Sequence, residues 1–188
     1  MATTVRCVRG ILFVDYVRML RACKSADYRA HLLPEDLEYL GARIEHDQWY
    51  PMGTFERFGN AILHSVANSD LFAVQLWGRM SATQLAKAHP MLVSHGDAVE
   101  TVNRFRVMRE TFFDFSAQDI VMLHDDEAQI AVHYHMGMPA EEAATYQTMG
   151  FFEGLLPLAG AKDIQSTLRQ RSWAGDPQTL LVLRWRSA

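Results

Sequence analysis

Cysteine is almost missing from this sequence: Cys7 and Cys23 are the only two in 188 residues, and they form no C-x-x-C pair. A disulfide scaffold is therefore excluded, and a reduced, cytoplasmic setting is the expectation. Long apolar runs are missing too. Arg6 and Arg9 precede Gly10-Ile11-Leu12-Phe13-Val14, but Asp15 cuts that run short and no small-residue cleavage site follows. No stretch reaches the ~20 apolar residues of a membrane helix. Nor is there an excess of positive charge, since 18 basic residues face 22 acidic ones for a net charge of -4. Without a basic stripe to neutralise phosphates, nucleic acid is not an expected partner. Arg169, Arg171, Arg184 and Arg186 alternate with apolar residues, as on the solvated face of a sheet. The chain also lacks a G-x-S-x-G elbow, a phosphate-cradling glycine loop, a repeat of fixed period and a low-complexity linker. No motif compels a reaction.

What is present is ordinary globular material, 49% hydrophobic and 21% charged, of a length suited to one domain over residues 1–188. Up to about residue 112 the apolar residues recur at helical spacing. Helices are expected over Val5–Cys23, with Ile11–Val14 as an alternative short strand, and from Leu33-Pro34 to about Arg43. Trp49-Tyr50-Pro51 breaks the pattern. A helix through Phe55 and Val66 follows, then one from Leu71 to about Ala88 behind an Asn68-Ser69-Asp70 cap, and one ending at Phe112. Over residues 113–188 the period changes to two. Asp119–His124 and Gln129–Met136 read as a hairpin around Asp125-Asp126-Glu127-Ala128. A helix opens at Pro139-Ala140-Glu141-Glu142 and stops at Gly160, with Gly150 and Gly154 letting it approach a sheet closely. A second hairpin, Asp163–Trp173 and Thr179–Arg186, completes a ββαββ unit. The fold class is α+β, a mainly helical part packed with a four-stranded antiparallel sheet.

Three sets of residues bear on function. His133 and His135 are two apart on an expected strand, and a hairpin closing around 125–128 brings His124 to the same face; such a row suits zinc or another transition metal. His64, His89 and His95 lie on or beside helices, where a single imidazole can be an axial haem ligand. Trp77, Phe105, Met108, Phe112, Tyr134, Met149 and Phe152 are the candidate wall of an apolar pocket between helices and sheet, with Phe113 and Phe151 beside them. The acids Asp125, Asp126 and Glu127 read as a solvated hairpin tip, and Glu141 and Glu142 as favourable charges at a helix start.

With these elements placed, the segment VHYHMGMPAEEAATYQTMGFFEGLLPLAG (Val132 to Gly160) and the closing TLLVLRW resemble the C-terminal half of two bacterial modules. These are the haem nitric-oxide-binding domain and the vinyl-reductase sensor domain. The whole chain also resembles a family of uncharacterised myxobacterial proteins of about this length, through the Trp49-Tyr50-Pro51 region, the Gly150 to Gly160 helix and the terminal Trp185. A weaker resemblance is to the ligand-sensing N-terminal domain of AraC-type regulators; the sequence ends at Ala188 without a helix-turn-helix, so action through a partner is the expectation. The haem-binding family carries Tyr-x-Ser-x-Arg for the propionates. Here Tyr134 stands at its tyrosine, while Met136 and Met138 hold the Ser and Arg places. The family's axial histidine falls near Phe105, ten residues from His95. The cysteine-based metal site of the vinyl-reductase group is absent. The resemblance implies a fold and an organic-ligand or protein-binding role, with no cofactor expected.

The leading expectation is a non-enzymatic signalling or regulatory protein that binds a small apolar molecule or a partner protein between helices and sheet, with a homodimer as the base-rate state. One alternative is a haem- or metal-dependent sensor using His95 or the His133/His135 row. Another is an enzyme acting on a hydrophobic small molecule with His133, His135 or Tyr134 as acid/base.

Overall fold

The computed structural model describes residues 5–25 and 27–187. Its first element is a strand, β1 (Cys7–Arg9), paired antiparallel with β2 (Trp49–Pro51). The expected helix from Val5 therefore begins only at Gly10, and α1 runs Gly10–Ala22. The start is set by packing: a Cβ at position 10 would lie 2.0 Å from the Glu45 carbonyl oxygen. The second expected helix shrinks to a 3-10 turn over Pro34–Asp36 and a short α2, Leu37–Gly41. Asp36 explains the shortening. Its carboxylate turns inward to full burial, where Arg57 donates to it from Nε at 2.6 Å and Nη2 at 2.8 Å and the Leu33 N–H adds a third bond.

The long helices follow the sequence pattern. They are α3 (Met52–Ser65), α4 (Leu71–Ala88) and α5 (Ala98–Met108). Asp70 caps α4 by accepting from the Phe72 N–H at 2.9 Å, and Asp97 caps α5 by accepting from Glu100 at 2.8 Å. The second half forms β3 (Gln118–Leu123), β4 (Glu127–Val132), α6 (Ala140–Leu158), β5 (Lys162–Gln170) and β6 (Thr179–Arg186). The sheet is antiparallel throughout, in the order β3-β4-β6-β5. Glu127 is part of β4 and bonds Arg184 opposite it, so it is not in the hairpin tip as expected.

Helix α6 lies between the sheet and α4. Towards the sheet, Ser166 on β5 bonds Glu153, which also accepts from Gln75 and Arg79 of α4 at 2.8 and 2.9 Å. Towards α4, Gly150 and Gly154 abut backbone: a Cβ at 150 would come 1.9 Å from the Gln75 carbonyl oxygen, and one at Gly78 would meet that of Gln147 at 2.1 Å. These glycines thus serve helix-on-helix contact, not the approach to the sheet that the sequence suggested. One cluster of buried apolar side chains, from Val8, Phe13 and Phe58 to Ile130, Phe152 and Leu181, joins the helical part to the sheet.

Candidate functional site

Strand β4 alternates, and its exit segment divides the candidate residues between two sides. On the α6 side, Tyr134 is buried, and its hydroxyl lies 2.6 Å from Thr148 Oγ1 and receives the Gln118 side-chain N–H. Burial pushes its pKa up to about 12, against the lowering effect of the Thr148 and Gln118 bonds. The Phe113 ring packs 5.7 Å from it. Deeper in, the Phe105 ring centre lies 5.0 Å from those of both Phe151 and Phe152. Phe105, Phe112, Met149 and Phe152 are buried side chains of the core, and Met108 packs against them from a half-buried position. Trp77 lines a different space, an apolar groove of about 30 Å3 with Tyr16, Phe55, Ile62 and Val74. That is room for one water, far below the roughly 300–1,000 Å3 of ligand pockets. The expected pocket wall is thus mostly a packed layer, because its rings fill the space between α5, α6 and the sheet with one another.

Haem does not fit this interior. Phe105, near which the resemblance puts an axial histidine, is wedged between two phenylalanine rings. His95 is exposed in the turn before α5. The tyrosine that would meet a propionate is closed into hydrogen bonds with Gln118 and Thr148, and the two thioethers after it offer an anion no N–H or O–H.

The opposite side of the same exit segment is open. Strand β4 stops at Val132, short of the expected Met136, and His135 adopts the left-handed region at φ 53°. His133, His135, Met136, Met138 and Glu141 form one wall of a cleft of about 300 Å3, faced by Ser172, Trp173 and Gln178 from the β5–β6 connection and by Thr179 at the start of β6. The two imidazole rings stack with centres 5.9 Å apart and planes at 20°. Burial, with Arg6 and His133 adding, lowers the His135 pKa. Glu141 is buried and accepts the Met136 N–H at 2.8 Å; burial outweighs that bond and, with Glu56, raises its carboxyl above the usual range. Asp119 lies 3.9 Å from His133 Nε2 and is itself held by Arg109 and Ser116.

The exit segment is tied to three distant elements. Arg6, just ahead of β1, donates to the carbonyls of Tyr134 and His135 at 2.8 and 2.9 Å and lies over the Phe115 ring. Glu56 of α3 accepts the Gly137 N–H at 2.8 Å, and Glu141 of α6 holds Met136. The segment is thus hydrogen-bonded twice to the residue ahead of β1 and once each to α3 and α6.

The remaining histidines lie apart. His124 is exposed at the turn end of the hairpin, its N–H bonded to the Glu127 carbonyl, whereas His133 bonds Ala117 at the other end. Six residue steps of strand, roughly 20 Å, separate them, so the expected three-histidine row is a pair plus a bystander. Among the described residues no three His, Cys, Asp or Glu side chains come together. His64 stacks on His31 at 4.7 Å, and His89 ends α4. Tyr134 does not join the two histidines as an acid/base group, because it faces the other side of the segment.

Sequence reasoning missed Arg6, Glu56, Glu141 and Trp173. Only Glu141 carried a signal, and at a helix start it was accounted for by the dipole.

No family model matches the chain, and no curated protein matches it. Solved structures do. An H-NOX protein from S. oneidensis in the Fe(II)NO ligation state is 14% identical with a TM-score of 0.63, over 95% of this chain and 99% of that one. A single-residue variant of an Fe(II) unliganded H-NOX protein from K. algicida gives 12%, 0.63, 95% and 97%. An NMR structure of a variant Shewanella oneidensis H-NOX domain in the Fe(II)CO ligation state gives 12%, 0.58, 96% and 99%. The chain has the H-NOX fold, as the resemblance implied. No helix among the described residues is long and apolar enough to cross a membrane.

Proposed function

We propose that this protein is a haem-free small-ligand sensor on the H-NOX fold, which binds its ligand in the cleft at the end of the sheet and passes the change to a protein partner. The observation that carries this reading is the wiring of the exit segment: its one side lines the concave space beside His133 and His135, while its backbone is held by Arg6, Glu56 and Glu141. A ligand that prefers a different position of residues 133–138 shifts the population of the whole hub. Thermal-shift screening of the full chain against monovalent and divalent metal ions and against small amines, amides and phenols tests it. Hits are expected to lose their stabilisation in His135→Ala and Trp173→Ala and to keep it in Trp77→Phe. Hits that respond only to Trp77→Phe would move the site to the apolar groove, and their absence altogether would sink the reading.

One observation favours a second reading, acid/base catalysis: a lowered imidazole and a raised carboxyl line the same concave space. Its test is turnover. A compound consumed by the wild type but not by His135→Gln or Glu141→Gln supports catalysis, and a ligand recovered unchanged supports sensing.

A further inference from the structure

The exit segment reads His133-Tyr134-His135-Met136-Gly137-Met138, so two imidazoles and two thioethers lie within six residues. All four line the one cleft. We infer that they form a soft-metal site for a single Cu(I) ion, with His133, His135, Met136 and Met138 as its ligands. The inference rests on the cleft being the ligand site and names the ligand class.

Ligand chemistry is the first argument. Thioether sulfur is soft and selects Cu(I), while imidazole is shared by Cu, Zn and Ni. A structural zinc site needs four thiolate, imidazole or carboxylate donors, and three such groups do not meet among the described residues. The cleft's own carboxylate, Glu141, accepts the Met136 N–H through one oxygen. The soft donors there are the two thioether sulfurs, beside two imidazoles.

Availability is the second. No ring nitrogen of His133 or His135 has a hydrogen-bond partner among the described residues, and Asp119 is 3.9 Å from His133 Nε2, beyond hydrogen-bond range. The rings already stack with centres 5.9 Å apart. Met138 is 54% exposed on a connecting segment, and an unbranched thioether with three rotatable bonds reorients readily. Asp119 stands where a carboxylate commonly orients a metal-bound imidazole, and Arg109 and Ser116 fix it there.

The test is an anaerobic titration of the full chain with Cu(I) in competition with bicinchoninate. One Cu(I) per chain is expected, with both sulfur and nitrogen scatterers in its X-ray absorption spectrum. The double variant Met136→Leu/Met138→Leu should lose about a hundredfold or more in Cu(I) affinity, given that losing even an outer partner costs 10–100-fold. Its weaker Zn(II) binding should be unchanged, and circular dichroism should show the fold intact. Cys7→Ser/Cys23→Ser should bind Cu(I) as the wild type does. Failure to take Cu(I) from the competitor, unaltered affinity in the Met variant, or loss in the Cys variant would each overturn the site. If Cu(I) fails while organic hits still depend on His135 and Trp173, the copper assignment falls and the sensing cleft stands; if both fail, the cleft itself is wrong.

Discussion

Two sides of one short segment differ in almost every respect. Tyr134 enters the core, where its hydroxyl bonds Thr148 and the Gln118 side-chain N–H and phenylalanine rings pack nearby. His133 and His135, one residue to either side, project into an open cleft, their ring nitrogens without hydrogen-bond partners among the described residues. The difference is one of packing: aromatic rings close the interior on the α6 side, while the polar side chains lie at the sheet end. Closed packing gives stability, and open, unsatisfied donors give binding.

The largest test of this contrast is the interior itself. Phe152→Ala removes a fully buried ring and is expected to destabilise the protein by about 3–5 kcal/mol in urea denaturation. Gly150→Leu should do as much by forcing α4 from α6, because no backbone atom at 1.9 Å can yield to a side chain. In neither case should a folded remnant lose cleft ligands selectively. Haemin added to the wild type is expected to give no histidine-ligated Soret band; such a band would show that the interior opens.

A middle-sized effect comes from Tyr134→Phe, which leaves Gln118 and Thr148 without their shared partner. It should cost about 1–3 kcal/mol and leave cleft binding unchanged. Equal loss of binding would show that the two sides are coupled through the strand.

The pH dependence separates two buried acids. Burial alone would raise the Asp36 carboxyl, but the bonds from Arg57, the Leu33 N–H and Thr54 hold it below its ordinary 3.8. Its contribution is therefore present above that value and lost as pH falls through the depressed one, and Asp36→Asn should flatten the acid limb of stability against pH. Glu141 is shifted the other way. Its protonated form is favoured in the folded state, so stability falls as pH rises from 4.5 through the raised value, and Glu141→Gln should remove that fall. Chemical denaturation at pH 3 to 7 checks both signs.

The smallest stability effect belongs to the cleft. Trp173→Ala, on the half-exposed β5–β6 connection, should change stability by no more than about 0.5 kcal/mol while lowering the affinity of any cleft ligand. A large loss of stability would make Trp173 a core residue and weaken the contrast.

Periodicity along the chain determined much of the architecture by itself. Period 3.6 marked α3 to α6, Asp70 marked a helix start, and the change to period 2 marked the sheet, because these are local properties of backbone and pattern. The strand Cys7–Arg9 was not legible, since its partner Trp49–Pro51 is forty residues away, and neither was Asp36, whose role needs Arg57. The alternation of His133, Tyr134 and His135 was visible in the sequence; that Tyr134 would be sealed in and the histidines left open was not. That depended on which side α6 covers and where β5 and β6 turn. His124 makes the same point: spacing put it on the face of His133 and His135, and only the register put it at the far end. Spacing fixes the side of a strand a residue takes, whereas enclosure depends on what distant segments bring against that side.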